Sequence, residues 1–462
     1  MNPRYVDTVG LAAELERIVG KENVLTDASS RQDYSRDMAE YEGYPAIVVR
    51  PASEAEVVRI VRLAGQTLTP LLARGAGSSL TGAAVIKDGI VMDMRRMNQV
   101  VKIDTINWYV QVQPGISLDD LNIELKRHRF FFPPDPASSY VCTVGGAIAE
   151  GSGGLRCVKY GTMKDWVISI RVVLPNAEVA KFGEPLPKNR AGYDLLHLFI
   201  GSEGTLGVIT EAHLKIVPLP SVPIRRLLVT FDRWDSVSRA ITELRKSSLI
   251  PGLFEFLDKE NIQAINAKLD QDLDEAEATL IVDVDEPELT KVVGIFNSLA
   301  PRKIDIARNE EEADNLYQIR SMALLAVKNL APSSQVEDVT IPLDKLGEYF
   351  DIVKQVAAEH NLRIPVMGHA GDGNIHPTIL YDAGNASSKK AASEAFEEIC
   401  RHAIAMGGTI SGEHGIGIQK VKLFREQLES HDGTEALRLM KEIKRLFDSK
   451  GIMNPGKYVE AA

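Results

Sequence analysis

The feature that most restricts the fold is a set of glycine-rich segments crowded into the first half of the chain. They are Arg74-Gly75-Ala76-Gly77-Ser78-Ser79-Leu80-Thr81-Gly82, Thr143-Val144-Gly145-Gly146-Ala147-Ile148-Ala149, Gly151-Ser152-Gly153-Gly154 and Ile200-Gly201-Ser202-Glu203-Gly204-Thr205-Leu206-Gly207. Glycine leaves backbone N–H groups open to close approach, and Ser and Thr add hydroxyls. The first segment follows a strand and offers what a pyrophosphate requires. It is not the Rossmann fingerprint. Leu80 stands where the third glycine belongs, and no acidic residue closes a βαβ unit at the expected distance. One such loop reads equally well as a plain turn. Several along one stretch are what a large cofactor, contacted along its length by backbone, would produce.

Around these segments the pattern is strand, helix, strand. Ala46–Val49 reads as a strand. Ser53 caps a helix with Val57, Ile60, Val61 and Ala64 on its apolar face, and Pro70–Ala73 is the next strand. Short strands follow at 89–94, 100–103, 109–112, 168–174 and 208–216, with a helix at 118–129. The run Ile216-Val217-Pro218-Leu219-Pro220-Ser221-Val222-Pro223 marks a boundary. Beyond it, strands at 226–231, 253–257, 279–284 and 336–341 alternate with helices near 235–247, 287–299, 310–329 and 343–360. That rhythm predicts an antiparallel sheet with helices on one face. The domains expected are 1–218, 219–410 and a C-terminal segment 411–462 that packs back on the first.

A second chemical signal lies late in the chain, in Met367-Gly368-His369-Ala370-Gly371-Asp372-Gly373-Asn374-Ile375-His376-Pro377. A lone histidine usually reads as a satisfied turn or core residue. Here two lie in one glycine-rich turn, and neutral imidazole is the commonest metal ligand. Gly371 and Gly373 are expected to let backbone and ligands crowd one ion. A third ligand is needed, and Gly412-Glu413-His414-Gly415 is the candidate. Asp372 reads either as a fourth ligand or as the closure of an Asx turn.

Net charge is −11 with no long basic run, which excludes nucleic acid as the main partner. The three cysteines, Cys142, Cys157 and Cys400, have no CxxC spacing. The chain therefore supplies no Fe–S cluster or zinc ribbon, and sparse unpaired thiols fit a reducing compartment. The N-terminus reads as an amphipathic helix with Leu11, Leu15 and Val19 on one face, without a signal core. No apolar run is long enough to span a membrane.

The motifs in combination resemble those of the FAD-linked 2-hydroxyacid dehydrogenases of the vanillyl-alcohol-oxidase (PCMH-type) fold. The nearest groups are the NAD-independent D-lactate dehydrogenases and the glycolate oxidase catalytic subunits, with the D-2-hydroxyglutarate dehydrogenases as close relatives. The resemblance runs from about residue 40 to Lys457. It rests on the Arg74–Leu80 loop, Phe132-Pro133-Pro134-Asp135-Pro136, the 201–207 and 368–376 motifs, Gly412-Glu413-His414-Gly415 and Asn454-Pro455-Gly456-Lys457. It implies an α+β fold: an FAD-binding domain of two α+β subdomains, plus a cap domain with a large antiparallel sheet covered by helices. It implies that Arg74, Gly75, Ala76, Gly77, Ser78 and Ser79 wrap the FAD pyrophosphate, with Gly82 also on the cofactor. Pro134, Asp135, Thr143, Gly145, Gly146, Ala149, Gly153 and Gly154 would lie along the flavin and ribityl chain. Glu203 would also contact the cofactor. Gly207, Val208 and Ile209 would offer backbone to the adenine end, and Asn454 would return to the flavin ring. Ser78 stands where covalent relatives place a histidine, which implies non-covalent FAD.

The same resemblance makes His369, His376 and Glu413 the ligands of one divalent ion, His414 the catalytic base and Arg320 the partner of the substrate carboxylate. Zn, Fe(II) or Mn suits such donors, and a redox-silent Zn suffices because the flavin does the redox step. Two positions depart from the dicarboxylate-specific branch. Val336 replaces a Lys and Thr378 replaces an Asn. This favours D-lactate or glycolate over 2-hydroxyglutarate, which stays the alternative substrate.

The chemistry implied is loss of the hydroxyl proton to His414 and of a hydride from Cα to flavin N5, with the ion lowering the alcohol pKa. Electrons must then leave to a partner: an Fe–S subunit, an electron-transfer flavoprotein, a cytochrome or a quinone. The expected setting is cytoplasmic, in a hetero-complex or homodimer, with peripheral contact at the inner face of the membrane allowed. A flavin electron-transfer subunit and a metallohydrolase without flavin are the competing classes.

Overall fold

The computed structural model describes residues 8–39 and 41–459. The chain divides into two compact units. The first contains the residues up to Ser152, Thr162–Leu219 and everything from Glu413 onward; the second contains Gly153–Gly161 and Pro220–Gly412. Among the described residues no helix is long and apolar enough to cross a membrane.

Among the described residues the first unit holds two larger sheets and a two-stranded one that pairs Phe130–Phe131 with Val217–Pro218. In one, Val24–Leu25, Ile47–Val49, Ile90–Asp93 and Leu71–Arg74 lie side by side in that order. The last three are parallel, so helix Glu54–Thr67 must cross over between two of them. Ser53 caps that helix by accepting a hydrogen bond from the Glu56 N–H, and Val57, Ile60, Val61 and Ala64 face the core. All three parallel strands are apolar on both sides, as burial on both faces requires. The second sheet is antiparallel, in the order Val100–Asp104, Tyr109–Val112, Val208–Lys215, Val167–Val173, Val179–Gly183. The C-terminal segment is built into this unit. The Leu71 N–H donates to the Ile452 carbonyl, and the Asn454 N–H donates to the Leu71 carbonyl. The buried Lys444 ammonium donates to the Thr205 and Met453 carbonyls and to Asp448.

The second unit is one eight-stranded antiparallel sheet with helices. Its spatial order is Lys303–Ile306, Ile224–Phe231, Ala278–Asp285, Leu253–Asp258, Val366–His369, Asn374–Tyr381 and Ser333–Val336, with Val339–Thr340 also pairing on the Asn374–Tyr381 strand. Helices cover both faces, not one. On one face Leu228, Leu253, Leu257, Ile281 and Leu380 meet residues of helices Lys259–Leu269 and Glu310–Lys328. On the other, Phe254 and Phe256 are buried, and Phe256 meets Trp234 and Phe350, at helices Asp235–Lys246 and Leu346–Glu359. The reason is in the strands: Leu253-Phe254-Glu255-Phe256-Leu257 is apolar at both parities except for one residue.

A further departure concerns residues 336–341, expected as one strand. They form two pieces, Ser333–Val336 and Val339–Thr340. Between them Glu337 and Asp338 are fully buried, and their carboxylates take backbone N–H groups: Glu337 from Asp338, and Asp338 from Gly412.

The sheet is also pinned by a buried ion pair. Arg226 donates to both Asp283 oxygens at 2.5 and 2.6 Å, and to the Ala313 carbonyl of the covering helix. Removing one member leaves an uncompensated charge. Arg226→Ala is therefore expected to lower stability by about 3–5 kcal/mol, read as a shift in the urea unfolding midpoint. A change under about 0.5 kcal/mol, the range of an exposed ion pair, would contradict this account.

Candidate functional site

The histidines lie on strands, not in the loop that the sequence suggested. Val366–His369 and Asn374–Tyr381 form a hairpin in which His369 faces Asn374 and Met367 faces His376. Only the 370–373 turn lies between them. Its glycines answer to packing. Gly373 has φ +85, and a Cβ there would lie 2.2 Å from the Ile341 carbonyl oxygen; a Cβ on Gly371 would lie 2.4 Å from Val158. Alternation sends His369, Asn374, His376 and Thr378 to the same face. The imidazole centroids are 5.2 Å apart with the rings at 84°, and one ring nitrogen of each lies within 4.8 Å of the other's.

The neighbouring strand adds Glu255 to that face, because Leu257 pairs with Met367. Glu255 is fully buried, and both its oxygens lie 2.8 Å from His369 Nδ1. Oε2 also lies 2.8 Å from Arg320 Nε. Arg320 comes from helix Glu310–Lys328 and is 3 % exposed, so its charge is not a solvated one. The partners set the tautomers. A carboxylate accepts, so His369 Nδ1 holds the proton and its lone pair is on Nε2. His376 Nδ1 lies 3.3 Å from the Glu337 carbonyl oxygen, which also only accepts. Both rings thus offer Nε2 as the lone-pair atom, the arrangement metal-binding histidines adopt. The donor set fits a divalent ion.

Asp338 is on the same face. One oxygen accepts from Asn374 Nδ2 at 2.8 Å. The other accepts from Ser411 Oγ at 2.9 Å and from the Gly412 N–H at 3.1 Å. It therefore fixes the backbone one residue before Glu413. Val336 and Thr378 are direct cross-strand partners.

In the first unit the glycine segments converge. The Arg74 guanidinium donates to the Ala84 and Arg36 carbonyls and lies over the Tyr34 ring, bracing the 74–82 loop. Gly77 has φ +76, and a Cβ there would come within 2.1 Å of that guanidinium. Residues 144–150 form a short helix, capped by the Thr143 hydroxyl accepting from the Gly146 N–H. Burial of Val144, Ala147 and Ile148 outweighs the low helix propensity of Gly145 and Gly146. Pro134 and Asp135 are buried, and Val208 and Ile209 pair with Val173 and Val172. Gly153 and Gly154 group with the second unit.

Glu203 organises this unit. Its N–H donates to the Ala149 carbonyl at 2.7 Å, and its carbonyl accepts from Asn454 Nδ2, which also donates to Ala83. Its carboxylate accepts from the Ile416 and Gly417 N–H groups at 2.6 and 3.0 Å. The His414 carbonyl accepts from the Thr81 hydroxyl at 3.3 Å, and His414 Nε2 lies 3.7 Å from Glu413 Oε1. Burial, then the charge of Glu203, pushes the Glu150 carboxyl well above the usual range. Glu150 Oε2 and Asn454 Oδ1 are buried without a hydrogen-bond partner among the described residues. Such orphaned polar atoms beside glycine backbone fit a large polar cofactor.

Sequence reasoning did not single out Glu255, Asp338 or Glu337. The signal for Glu255 was present: one acid inside an otherwise apolar strand.

Comparisons with known proteins agree with this geometry. The family model for the FAD binding domain matches residues 45–183, and that for the C-terminal domain of FAD linked oxidases matches 223–458. The chain is 35% identical over 460 residues to the glycolate oxidase subunit GlcD of Bacillus subtilis, covering 97% of each chain. It is 32% identical over 457 residues to a D-lactate dehydrogenase of Anaerostipes hadrus, covering 95% of each. Among solved structures, 4-ethylphenol oxidase from Gulosibacter chungangensis superposes with a TM-score of 0.82 at 18% identity, covering 99% of this chain and 98% of that one, which establishes the fold alone. Given an FAD-binding unit, Gly77→Ala is expected to displace Arg74 and lower the flavin bound per protein, read from flavin absorbance after purification. Full occupancy would contradict that role for the loop. The chain belongs to the FAD-linked oxidase family, as an FAD-dependent oxidoreductase of the vanillyl-alcohol-oxidase (PCMH-type) fold.

Proposed function

We propose that the protein oxidises a small D-2-hydroxy acid, D-lactate or glycolate, to the 2-oxo acid, with FAD and one divalent metal ion. The observation that carries this reading is the single sheet face on which His369 and His376 have their Nδ1 atoms engaged and Arg320 is buried beside them. The names of the relatives, a glycolate oxidase subunit and a D-lactate dehydrogenase, point to the same substrate class.

Each role follows from residue chemistry. His369 and His376, with Glu413, hold the ion; Zn satisfies this donor set, as do Fe(II) and Mn. When bound, the ion supplies Lewis acidity toward an alcohol whose own pKa is far above that of imidazole. FAD supplies the two-electron acceptor. It is held by the 74–82 loop, the 134–149 stretch, Gly153 and Gly154, the backbone at 207–209 and Asn454. Arg320 pairs with the substrate carboxylate through charge-assisted hydrogen bonds and fixes the orientation of Cα. His414 takes the hydroxyl proton. Val336 and Thr378, facing each other, carry no charge for a second carboxylate, which favours a small substrate. Electrons leave to a protein or quinone acceptor, since the chain has no cluster motif of its own.

The test is anaerobic mixing with 2-hydroxy acids of both hands. The flavin absorbance is expected to bleach with D-lactate or glycolate. Bleaching with none of the panel would refute the reading. His369→Ala is expected to lose metal and turnover while keeping FAD, and His414→Ala to slow flavin reduction about 10²–10⁴-fold.

A further inference from the structure

Glu255 has no role in the reading above, and its surroundings ask for one. It is the only charged residue inside Leu253–Leu257, and its cross-strand partner is Ile281. Hydrophobic residues of like volume are often as stabilising as a buried ion pair or better, so stability alone does not call for an acid at this place. Its polar partners are His369, at 2.8 Å from both oxygens, and Arg320 Nε, at 2.8 Å from Oε2. One carboxylate therefore holds two groups from different elements, a strand end and a helix interior.

We infer that Glu255 is a positioning residue that couples the metal site to the carboxylate site, through simultaneous contacts to His369 and Arg320. This rests on the roles proposed for those two residues. Two consequences follow from the geometry. The bond to Nδ1 fixes the His369 ring and leaves Nε2 as the ligand atom. The ion pair at Nε, close at 2.8 Å but without an aligned N–H···O bond, holds the guanidinium against the carboxylate by charge, so that its Nη edge is left for a substrate carboxylate. Among the described residues Arg320 Nη1 is otherwise steadied by a long contact of 3.7 Å to the Met367 sulfur. Losing Glu255 leaves Arg320 charged but without its aim, which harms turnover more than binding.

Two variants separate these effects. In Glu255→Gln the amide oxygen still accepts from His369 Nδ1, while the charge facing Arg320 is gone. It is expected to keep Zn²⁺ affinity within a few-fold and to lower kcat for flavin reduction by D-lactate or glycolate by about 10-fold or more, with KM unchanged or lower. Glu255→Ala is expected to weaken Zn²⁺ binding by about 10–100-fold as well. Metal is measured by titration of the chelator-stripped protein and by elemental analysis. Flavin content and a cooperative melting transition show that the variants fold; should the Ala variant fail to fold, the Gln variant carries the test. Glu255→Gln with wild-type kcat, or a folded Glu255→Ala with wild-type Zn²⁺ affinity, overturns the inference alone. Wild-type protein that binds no divalent cation overturns the metal reading beneath it, and the inference with it.

Discussion

A carboxylate shared between an imidazole and a guanidinium is the constraint on which the second unit depends. Glu255, His369 and Arg320 are all nearly inaccessible to water. Burying any one of them alone would be costly, and the cost is offset only while all three stay in register. The sheet supplies that register. Leu257 pairs with Met367, and Met367 with His376, so two residues along each strand place Glu255 and His369 side by side. Apolar packing of helix Glu310–Lys328 on the same face then sets the depth of Arg320. Glu255, His369 and Arg320 are thus carried by paired strands and a packed helix rather than by loops.

The first unit uses an acid in the same way for a different end. Glu203 spends its carboxylate on the N–H groups of Ile416 and Gly417, its carbonyl on Asn454 and its own N–H on Ala149. It ties together segments more than two hundred residues apart in the chain. Asp338 anchors Gly412 in the second unit, and Glu203 anchors Ile416 in the first. Glu413 and His414, the proposed ligand and base, lie in the chain between the two anchored residues.

Much of this was legible in the residues. Helix Glu54–Thr67, with its Ser53 cap and apolar face, and most strands follow from periodicity and capping, because local preference and burial agree there. The motifs around Arg74, Glu203, His369 and His414 marked the segments that the fold brings together within each unit. What was not legible is tertiary. His369 and His376 looked like loop residues because glycines surround them, yet Gly371 and Gly373 serve close packing at a hairpin turn. Residues 336–341 have a strand pattern, but the buried Glu337 carboxylate takes the Asp338 N–H out of the ladder. Glu255 gave a signal, a charge among apolar residues, but its partners lie 65 and 114 residues away and only strand pairing identifies them. The apolar parity of the strands showed burial on both faces, and the expectation of helices on one face missed it.

The most direct test of the account is single-turnover flavin reduction by wild-type protein stripped of divalent cations while retaining FAD. If the histidine face holds an ion that acidifies the substrate hydroxyl, anaerobic reduction by D-lactate or glycolate falls by about 100-fold or more and returns with one equivalent of Zn²⁺, Mn²⁺ or Fe²⁺. Reduction at an undiminished rate in the stripped protein would contradict it.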